Sequence, residues 1–391
     1  MKMIFTNARL ILPNGIRDDL EVVVSDGKIR DVREAGKRSG SDVIDLGGNY
    51  LAPGFIDLHV HGAVGRDTME ASSDAFRAIC DFHASGGTTS LLLTTATAPI
   101  PEIVRVLGGV RSAIAAIPQI VGVHVEGPFI SRERPGAQCA EFIRDPDNAV
   151  TNELLQFAEV IKRITIAPEL PGALALIEKM DARGIAVSGG HSDAWDEEAR
   201  AGFERGMRHV THTFNCMSSA RRRGRERVAG LLEFALSEPN ITCELIADGH
   251  HVSPTLMKML YRAKGAAGIC LVTDATAGAG LADGTKFELA GKECVVENGV
   301  CVLEDRSALA GSAARMIDLV RTMVCEAGIP LHEAITMAST TPARTLGLEG
   351  KKGILQAGAG ADLTVFSPDF EVLQTFSGGQ ATFSTPPRPS S

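Results

Sequence analysis

The sequence predicts an α/β protein: a (β/α)8 barrel of the TIM type, with a small β-sandwich domain formed by both ends of the chain. Two observations predict the barrel. Strand-like and helix-like segments alternate eight times through the middle of the 391-residue chain, over roughly the 250 to 300 residues that such a barrel takes. Polar residues recur where these strands end, which is where barrel enzymes build their sites. The sandwich rests on a third observation, since both chain ends contain short strand-like runs.

Composition and charge restrict the class of protein. The chain has 44% hydrophobic and 22% charged residues, and its net charge of −9 argues against a general nucleic-acid binder. No apolar run approaches the roughly 20 residues of a membrane span. The opening MKMIFTNARLILPNG lacks the layout of a signal peptide, and the eight cysteines form no CxxC pair. We therefore expect a cytoplasmic protein with free thiols that binds neither nucleic acid nor membrane.

The two chain ends are expected to fold together. The first 50 residues contain short strands separated by Asn-Gly and Asp-Gly turns. The stretch GADLTVFSPDFEVLQTF, residues 360–376, has the same character, so residues 1–51 and 351–378 predict one discontinuous sandwich. Residues 52–350 would then form the catalytic barrel. Residues 379–391 are rich in Ser, Pro and Gly and predict a disordered tail.

Eight segments between these ends are candidate barrel strands. They are FIDLHV, TTSLLLTT, IVGVHVE, ITIAPE, GIAVSGG, MRHVTHTF, ITCELIAD and GICLVTD, with helix-like segments such as 101–117 and 172–183 between them. A doubly wound parallel sheet is the alternative, but it usually has fewer strands, and no GxGxxG motif follows the first strand. After the eighth strand, residues 284–305 predict an inserted β-hairpin.

Candidate metal ligands stand at the carboxyl ends of these strands. His59 and His61 end the first strand and share a face, because side chains alternate along a strand. Glu126, His191 and His212 end the third, fifth and sixth strands. Taken singly, each residue has a structural explanation, such as a polar core residue or an ion-pair partner. Jointly they have the composition of a catalytic metal site, which suits zinc, iron, cobalt or manganese.

Two further residues are candidates for catalysis. Asp274 ends the eighth strand and is not needed as a ligand, so it could accept a proton from water and return it to a leaving group. His251 follows the seventh strand, in the stretch ADGHHV that also contains Asp248, and could polarise a carbonyl or hold the substrate. Together with a metal that lowers the pKa of water to about 7, these residues predict hydrolysis of an amide-like or amidine-like carbon. His124 is interpreted as structural.

Seven stretches together resemble the amidohydrolase superfamily, and within it the N-acetylglucosamine-6-phosphate deacetylases. They are PGFIDLHVHG, HVEGPF, GGHS, THTFNCM, ADGHHV, LVTDATAG and LAGSA. The resemblance covers almost the whole chain, including the divided sandwich. The fourth strand, ITIAPE, lacks the lysine that carbamylated-lysine relatives carry at its end. Glu126 on the third strand matches the deacetylase arrangement instead.

The resemblance implies a role for each candidate. Glu126, His191 and His212 would hold the main metal, and His59 with His61 would help hold a second ion that only some members have. Asp274 would act as general base and then general acid, and His251 would contact the sugar and the amide carbonyl. Zinc is the preferred ion, with one or two per subunit, and a homodimer is expected. The residues expected to contact substrate are Ala137, Gln138, Asn215, Cys216, Arg223, Arg225, Asp248, His251, Leu309, Ala310 and Gly311.

Two departures from the family pattern concern the phosphate of the implied substrate. The stretch PGAQ places Gln138 where the family has a phosphate-binding histidine. The loop SSARRRGRERVAG replaces the family's Gly-Arg-Glu-Pro-Gly, with Arg223 or Arg225 as the phosphate-binding arginine and a solvated basic loop as the structural explanation.

The implied reaction is hydrolysis of N-acetylglucosamine 6-phosphate, an amino-sugar phosphate, to glucosamine 6-phosphate and acetate. Three alternatives stay open. The substrate could be another N-acetylhexosamine phosphate, or the chain could be a different amidohydrolase such as an aminoacylase or a purine deaminase. A non-enzymatic scaffold with a vestigial site is the third.

Overall fold

The computed structural model describes residues 2–36, 40 and 42–385. Its central sheet has eight strands that all pair in parallel, and neighbours in the sheet are successive in the chain. The first to eighth barrel strands are Phe55–Val60, Thr88–Thr95, Ile120–Glu126, Ile161–Ile166, Ala186–Gly189, Met207–Val210, Thr242–Leu245 and Ile269–Leu271. The barrel prediction is confirmed, because a doubly wound sheet would reverse its strand order partway across.

The barrel closes through the segment that follows the eighth strand. The amide of Asp274 donates to the carbonyl of His59 at 2.9 Å, and the amide of His61 donates to the carbonyl of Ala275 at 2.8 Å. Val60 and Ala275 form a parallel bridge beside these bonds. Closure therefore holds the backbone of both histidines next to Asp274.

Helices cover the outside of the barrel. Their inner faces carry apolar side chains at helical spacing, as at Ile103, Val106, Leu107 and Val110, which are fully buried. No helix among the described residues combines the length and the apolar character that a membrane crossing requires. The helices are Ser73–Ala84, Ile100–Ala113, Asn148–Leu154, Ala173–Asp181, Asp196–Glu204, Leu231–Ser237, Pro254–Lys264, Met316–Cys325, Leu331–Ala338 and Thr340–Thr345.

Two sheets lie beside the barrel, and the larger of them contains strands from both chain ends. The four-stranded sheet has the order Lys28–Glu34, Leu20–Ser25, Lys2–Thr6 and Val43–Asp45. In the six-stranded sheet, Tyr50–Pro53 from the first part of the chain pairs antiparallel with Leu363–Phe366 from the last. Its order is Gln380–Ser384, Val372–Ser377, Leu363–Phe366, Tyr50–Pro53, Arg9–Leu12 and Gly15–Arg17. A separate apolar core lies between the two sheets and includes Phe5, Leu10, Leu51, Leu363 and Phe376.

The predicted disordered tail over 379–391 is wrong for residues 380–384. Gln380–Ser384 forms the edge strand of the six-stranded sheet. It follows a tight turn at Gly378 and Gly379, whose φ angles are +55° and +74°. Two successive residues with positive φ are typical of a two-residue hairpin turn, so this glycine pair is a turn and not a linker. Residues 386–391 lie outside the described part of the chain.

The insertion after the eighth strand has three strands, where the sequence predicts a two-stranded hairpin in 284–305. Lys286–Leu289, Lys292–Glu297 and Val300–Leu303 pair antiparallel in this order. The turn at Ala290 and Gly291 has positive φ at both residues, which alanine rarely adopts, so the sequence does not reveal it. The insertion packs its own small core and supplies one wall of the barrel mouth.

Candidate active site

A cavity of about 220 Å³ lies at the carboxyl ends of the barrel strands. Loops after the strands and the inserted sheet form its walls. The structure therefore brings together most of the residues that the sequence singles out. Those that line the cavity are His61, Glu126, Ala137, Gln138, His191, His212, Asn215, Cys216, His251, Asp274, Leu309 and Gly311.

Glu126, His191 and His212 converge on one point. Glu126 Oε1 lies 3.3 Å from His191 Nε2 and 3.2 Å from His212 Nε2. The Nδ1 atoms of the two imidazoles face backbone carbonyls, at 2.8 Å from Arg134 and 3.2 Å from Asn215. An imidazole that donates its Nδ1–H in this way keeps an unprotonated Nε2, the form that binds a metal. The three ligand atoms lie within 4.8 Å of one another, so their geometry fits one shared ion.

The backbone has a left-handed conformation at three of the candidate site residues that follow barrel strands. His191, His212 and Asp274 have φ angles of +45°, +29° and +50°. A non-glycine residue in the left-handed region costs about 1–3 kcal/mol and persists where the surrounding structure enforces it, often at active sites. The left-handed turns lie where each strand gives way to the loop that lines the cavity.

His59, His61 and Asp274 form a second group beside the first. The two Nε2 atoms lie 3.2 Å apart, and Asp274 Oδ1 lies 3.4 Å from His59 Nε2 and 3.3 Å from His61 Nε2. His61 Nε2 is also 3.2 Å from Glu126 Oε2. Glu126 Oε1 lies 3.4 Å from His59 Nε2 as well, so Glu126 contacts both groups, and the donors fit either one ion or two with Glu126 between them. His59 is fully buried behind the cavity wall.

The charges of this cluster also fit a cation. Burial alone would raise the pKa of Glu126 and of Asp274, but the surrounding imidazoles, His59 foremost, hold both pKa values below their ordinary range. Burial alone would lower the pKa of the imidazoles, yet the carboxylates raise the pKa of His61 to about 9 and that of His59 well above its ordinary value. Two buried carboxylates thus require positive charge, which a divalent ion can supply in place of protons.

His251 is held by its neighbour Asp248. Its Nδ1 lies 2.7 Å from Asp248 Oδ2, and Asp248 Oδ1 accepts the backbone amides of His250 and His251 at 2.9 and 2.8 Å. Burial would lower the pKa of His251, but the Asp248 carboxylate raises it. His251 therefore lines the cavity with its ring oriented by Asp248, whereas Asp248, predicted to contact substrate, lies behind it.

Gln138 makes a contact that the sequence does not predict. Its Nε2 donates to Glu126 Oε2 at 2.6 Å, and its Oε1 accepts the backbone amide of Thr97 at 2.7 Å. Both ends of the amide are therefore engaged, at a carboxylate of the candidate metal site and not at a separate phosphate subsite. The predicted contact of Gln138 with substrate stays a prediction.

Besides Asp248, three further predicted substrate contacts lie away from the cavity wall. Arg223 and Arg225 belong to an exposed hairpin formed by Arg221–Arg223 and Glu226–Val228. Arg223 forms an ion pair with Glu197, and its Cζ lies 4.8 Å from the ring centroid of Trp195. Its side chain therefore packs against residues of its own chain. Ala310 is buried in the core of the inserted sheet.

Two buried charged residues beneath the site are missed by sequence analysis. Glu244, on the seventh strand, lies 3.2 Å from His59 Nδ1 through its Oε2. Arg163, on the fourth strand, has its Nε 3.0 Å from Glu244 Oε1, and both side chains are only 1% exposed. A signal was present, since a charged residue within an otherwise apolar parallel strand is unusual. The stretch RITI, residues 163–166, contains the charged Arg163, and TCELI, residues 242–246, contains the charged Glu244.

Comparison with known proteins gives consistent matches. A model described as "Amidohydrolase family" matches residues 50–382. An N-acetylglucosamine-6-phosphate deacetylase of Lysinibacillus sphaericus is 33% identical over 98% of this chain and 99% of its own. An N-acetylgalactosamine-6-phosphate deacetylase of Escherichia coli O157:H7 is 32% identical, over 95% and 97%.

Solved structures of similar proteins share the fold. The crystal structure of N-acetylglucosamine-6-phosphate deacetylase from Pasteurella multocida has a TM-score of 0.92 and 33% identity, covering 97% of this chain and 99% of that one. A mutant of the deacetylase from Mycobacterium smegmatis, in complex with N-acetyl-D-glucosamine-6-phosphate, has a TM-score of 0.92 and 30% identity, covering 98% and 100%.

Proposed function

The chain belongs to the amidohydrolase family, in the group of N-acetylglucosamine-6-phosphate deacetylases, and we propose that it hydrolyses N-acetylglucosamine 6-phosphate to glucosamine 6-phosphate and acetate. The family predicted from the motifs is thereby confirmed. The observation that carries the proposal is the meeting of Glu126, His191 and His212 beside Asp274 in one cavity. Relatives that match over nearly their full length support an N-acetylated sugar phosphate as the substrate.

We propose that Glu126, His191 and His212 hold a divalent ion, and that His59 and His61 help hold a second where two are bound. Three protein ligands with an open position are typical of catalytic zinc, and iron, cobalt or manganese accept the same donors. Such an ion would lower the pKa of a bound water to about 7 and polarise the amide carbonyl. The assignment is supported by the Nδ1 contacts of His191 and His212 with backbone carbonyls, which leave the Nε2 atoms free to bind an ion.

Asp274 would move the proton. Its lowered pKa keeps the carboxylate ionised at neutral pH, and its position at the cavity wall leaves it accessible to water. It would accept a proton as the water oxygen bonds to the amide carbon, and deliver that proton to the nitrogen as the C–N bond breaks. Acetate and the free amine of the sugar are the two products.

The remaining cavity residues would bind and orient the sugar. His251, whose pKa the Asp248 carboxylate raises, would in its protonated form donate a hydrogen bond to the amide carbonyl or to a sugar hydroxyl. Ala137, Asn215, Cys216, Leu309 and Gly311 would surround the ring, whereas the buried Ala310 would shape the loop from behind.

A second copy of the chain would complete the phosphate site. Among the described residues that line the cavity none is arginine or lysine, although a phosphate dianion favours a bidentate guanidinium. The exposed hairpin with Arg223 and Arg225 would supply it from the partner in a homodimer. The eight free cysteines fit the reducing cytoplasm that we propose as the compartment.

A substrate screen tests the proposal. Purified protein loaded with zinc is incubated with the 6-phosphates of N-acetylglucosamine, N-acetylgalactosamine and N-acetylmannosamine, and with the unphosphorylated sugars. We expect acetate and an equal amount of primary amine from N-acetylglucosamine 6-phosphate. The Escherichia coli O157:H7 relative supports the galactosamine epimer as the second candidate. Release of no acetate from any phosphate would refute the proposal, and ammonia from a purine would favour a deaminase.

A further inference from the structure

Glu244 connects both groups of candidate ligands from beneath the cavity. Its Oε2 lies 3.2 Å from His59 Nδ1 and also accepts the backbone amide of His212 at 3.1 Å. Its Oε1 lies 3.0 Å from Arg163 Nε, although the two are not aligned for a hydrogen bond. One carboxylate therefore contacts a residue of each ligand group and a buried guanidinium.

Each contact of Glu244 acts on a property that a metal ligand needs. A carboxylate that accepts the Nδ1–H of an imidazole fixes the tautomer whose Nε2 is free, and such partners raise the basicity of the ligand. For His59 that Nε2 is the atom facing His61 and Asp274. The contact to the amide of His212 holds a backbone whose φ of +29° places it in the unfavourable left-handed region.

Arg163 holds Glu244 in place and ionised. The guanidinium is almost fully buried, and its Nη2 donates to Ser188 Oγ at 3.1 Å. Among the described residues its Nη1 has no hydrogen-bond partner, so Glu244 is the charge that balances it. The two side chains come from the fourth and seventh strands and meet across the barrel interior.

We propose that Glu244 and Arg163 form a positioning pair for the metal site. Glu244 fixes the ligand-ready tautomer of His59 and the backbone of His212, and Arg163 fixes Glu244. This inference rests on the metal site of the proposed function and makes no assumption about the substrate. A pair with a structural role alone would change the stability of the metal-free protein and leave its metal affinity unchanged.

The double variant R163M/E244L separates the two roles, because it removes both buried charges together and leaves neither unpaired. Zinc affinity is measured by competition with a chromogenic chelator, and the melting temperature is measured in EDTA. We expect the metal-free melting temperature to fall modestly, because His59 Nδ1 and the His212 amide lose their buried acceptor, and zinc affinity to fall by about 10- to 100-fold. E244Q retains an acceptor for His59 Nδ1 and should lose less.

The matched control is K352M/D362N, which removes another largely buried ion pair far from the cavity. Lys352 Nζ lies 2.7 Å from Asp362 Oδ2 in the sandwich region, and its loss should leave zinc affinity unchanged. Zinc affinity of R163M/E244L within about twofold of the parent, instead of the expected drop, would overturn the proposal. If the double variant does not fold, E244Q decides, and an affinity equal to that of the control overturns it. A parent that binds zinc but releases no acetate would refute the proposed function alone.

Discussion

Replacing Gln138 by leucine tests whether this residue contributes to the proposed metal site or binds the phosphate of the proposed substrate. The change removes the donor to Glu126 Oε2 at 2.6 Å and the acceptor for the Thr97 amide at 2.7 Å. A hydrogen bond to a charged group contributes about 1.5–3 kcal/mol. Since about 1.4 kcal/mol corresponds to a factor of ten, we expect Q138L to lower zinc affinity by about 10- to 150-fold.

The assay separates metal binding from substrate binding. Zinc affinity is measured by chelator competition, and kcat and KM are then measured at saturating zinc with the N-acetylhexosamine 6-phosphate that gives most acetate. Because the lost contact lies on Glu126, kcat should fall while KM changes little. Q119L is the matched control, since Gln119 is similarly buried but precedes the third strand, at the opposite end of the barrel.

The opposite pattern would refute this reasoning. A variant Q138L with parental zinc affinity and a greatly raised KM would show that Gln138 binds the phosphate, as the family's histidine at this position implies. The hydrogen bond to Glu126 would then have no part in holding the metal.

The remaining predictions concern Asp274 as the proposed proton carrier, the pH dependence of stability, and the removal of zinc. D274N should lower kcat by about 10²- to 10⁴-fold and still bind zinc by mass spectrometry, because Glu126, His191 and His212 are untouched; an active D274N would assign the proton transfer elsewhere. In the metal-free protein the raised pKa of His61, about 9, contributes stability that is fully present below the ordinary value near 6.5 and is lost as pH rises through 9. The melting temperature in EDTA should therefore fall between pH 7 and pH 9, and an H61N variant should reduce this dependence. Removing zinc at pH 7.5 should lower the melting temperature, since a ligand at about 1,000 times its Kd stabilises the folded state by about 4 kcal/mol; equal melting curves with and without EDTA would argue against a tightly held ion.

The clustering of the candidate site residues could be predicted from the sequence, because a closed parallel barrel brings the carboxyl ends of its strands together. His59, Glu126, His191 and His212 stand at the carboxyl ends of four strands, and any closed parallel barrel gathers those ends at one rim. No knowledge of side-chain contacts was required for that step. The proximity of Asp274 follows in the same way, from the closure between the eighth strand and the first.

Side-chain contacts inside the barrel and between loops could not be predicted from the order of the strands. Whether Arg163 meets Glu244 depends on strand stagger and tilt, which hydrophobic patterning does not determine. Gln138 bonds to Glu126 because the Thr97 amide from a different loop holds its other end. The outward position of Arg223 depends on its packing against Trp195, a partner outside the motif.

The pairing of Tyr50–Pro53 with Leu363–Phe366 imposes an order on synthesis. Only Gly54 separates Tyr50–Pro53 from the first barrel strand, and its partner leaves the ribosome after nearly the whole barrel has been translated. Until then one edge of Tyr50–Pro53 stays open, which exposes the nascent chain to pairing with other polypeptides. Completion of the sandwich is therefore a late event, and messages truncated before codon 363 should yield aggregates, with chaperone demand concentrated at the end of translation.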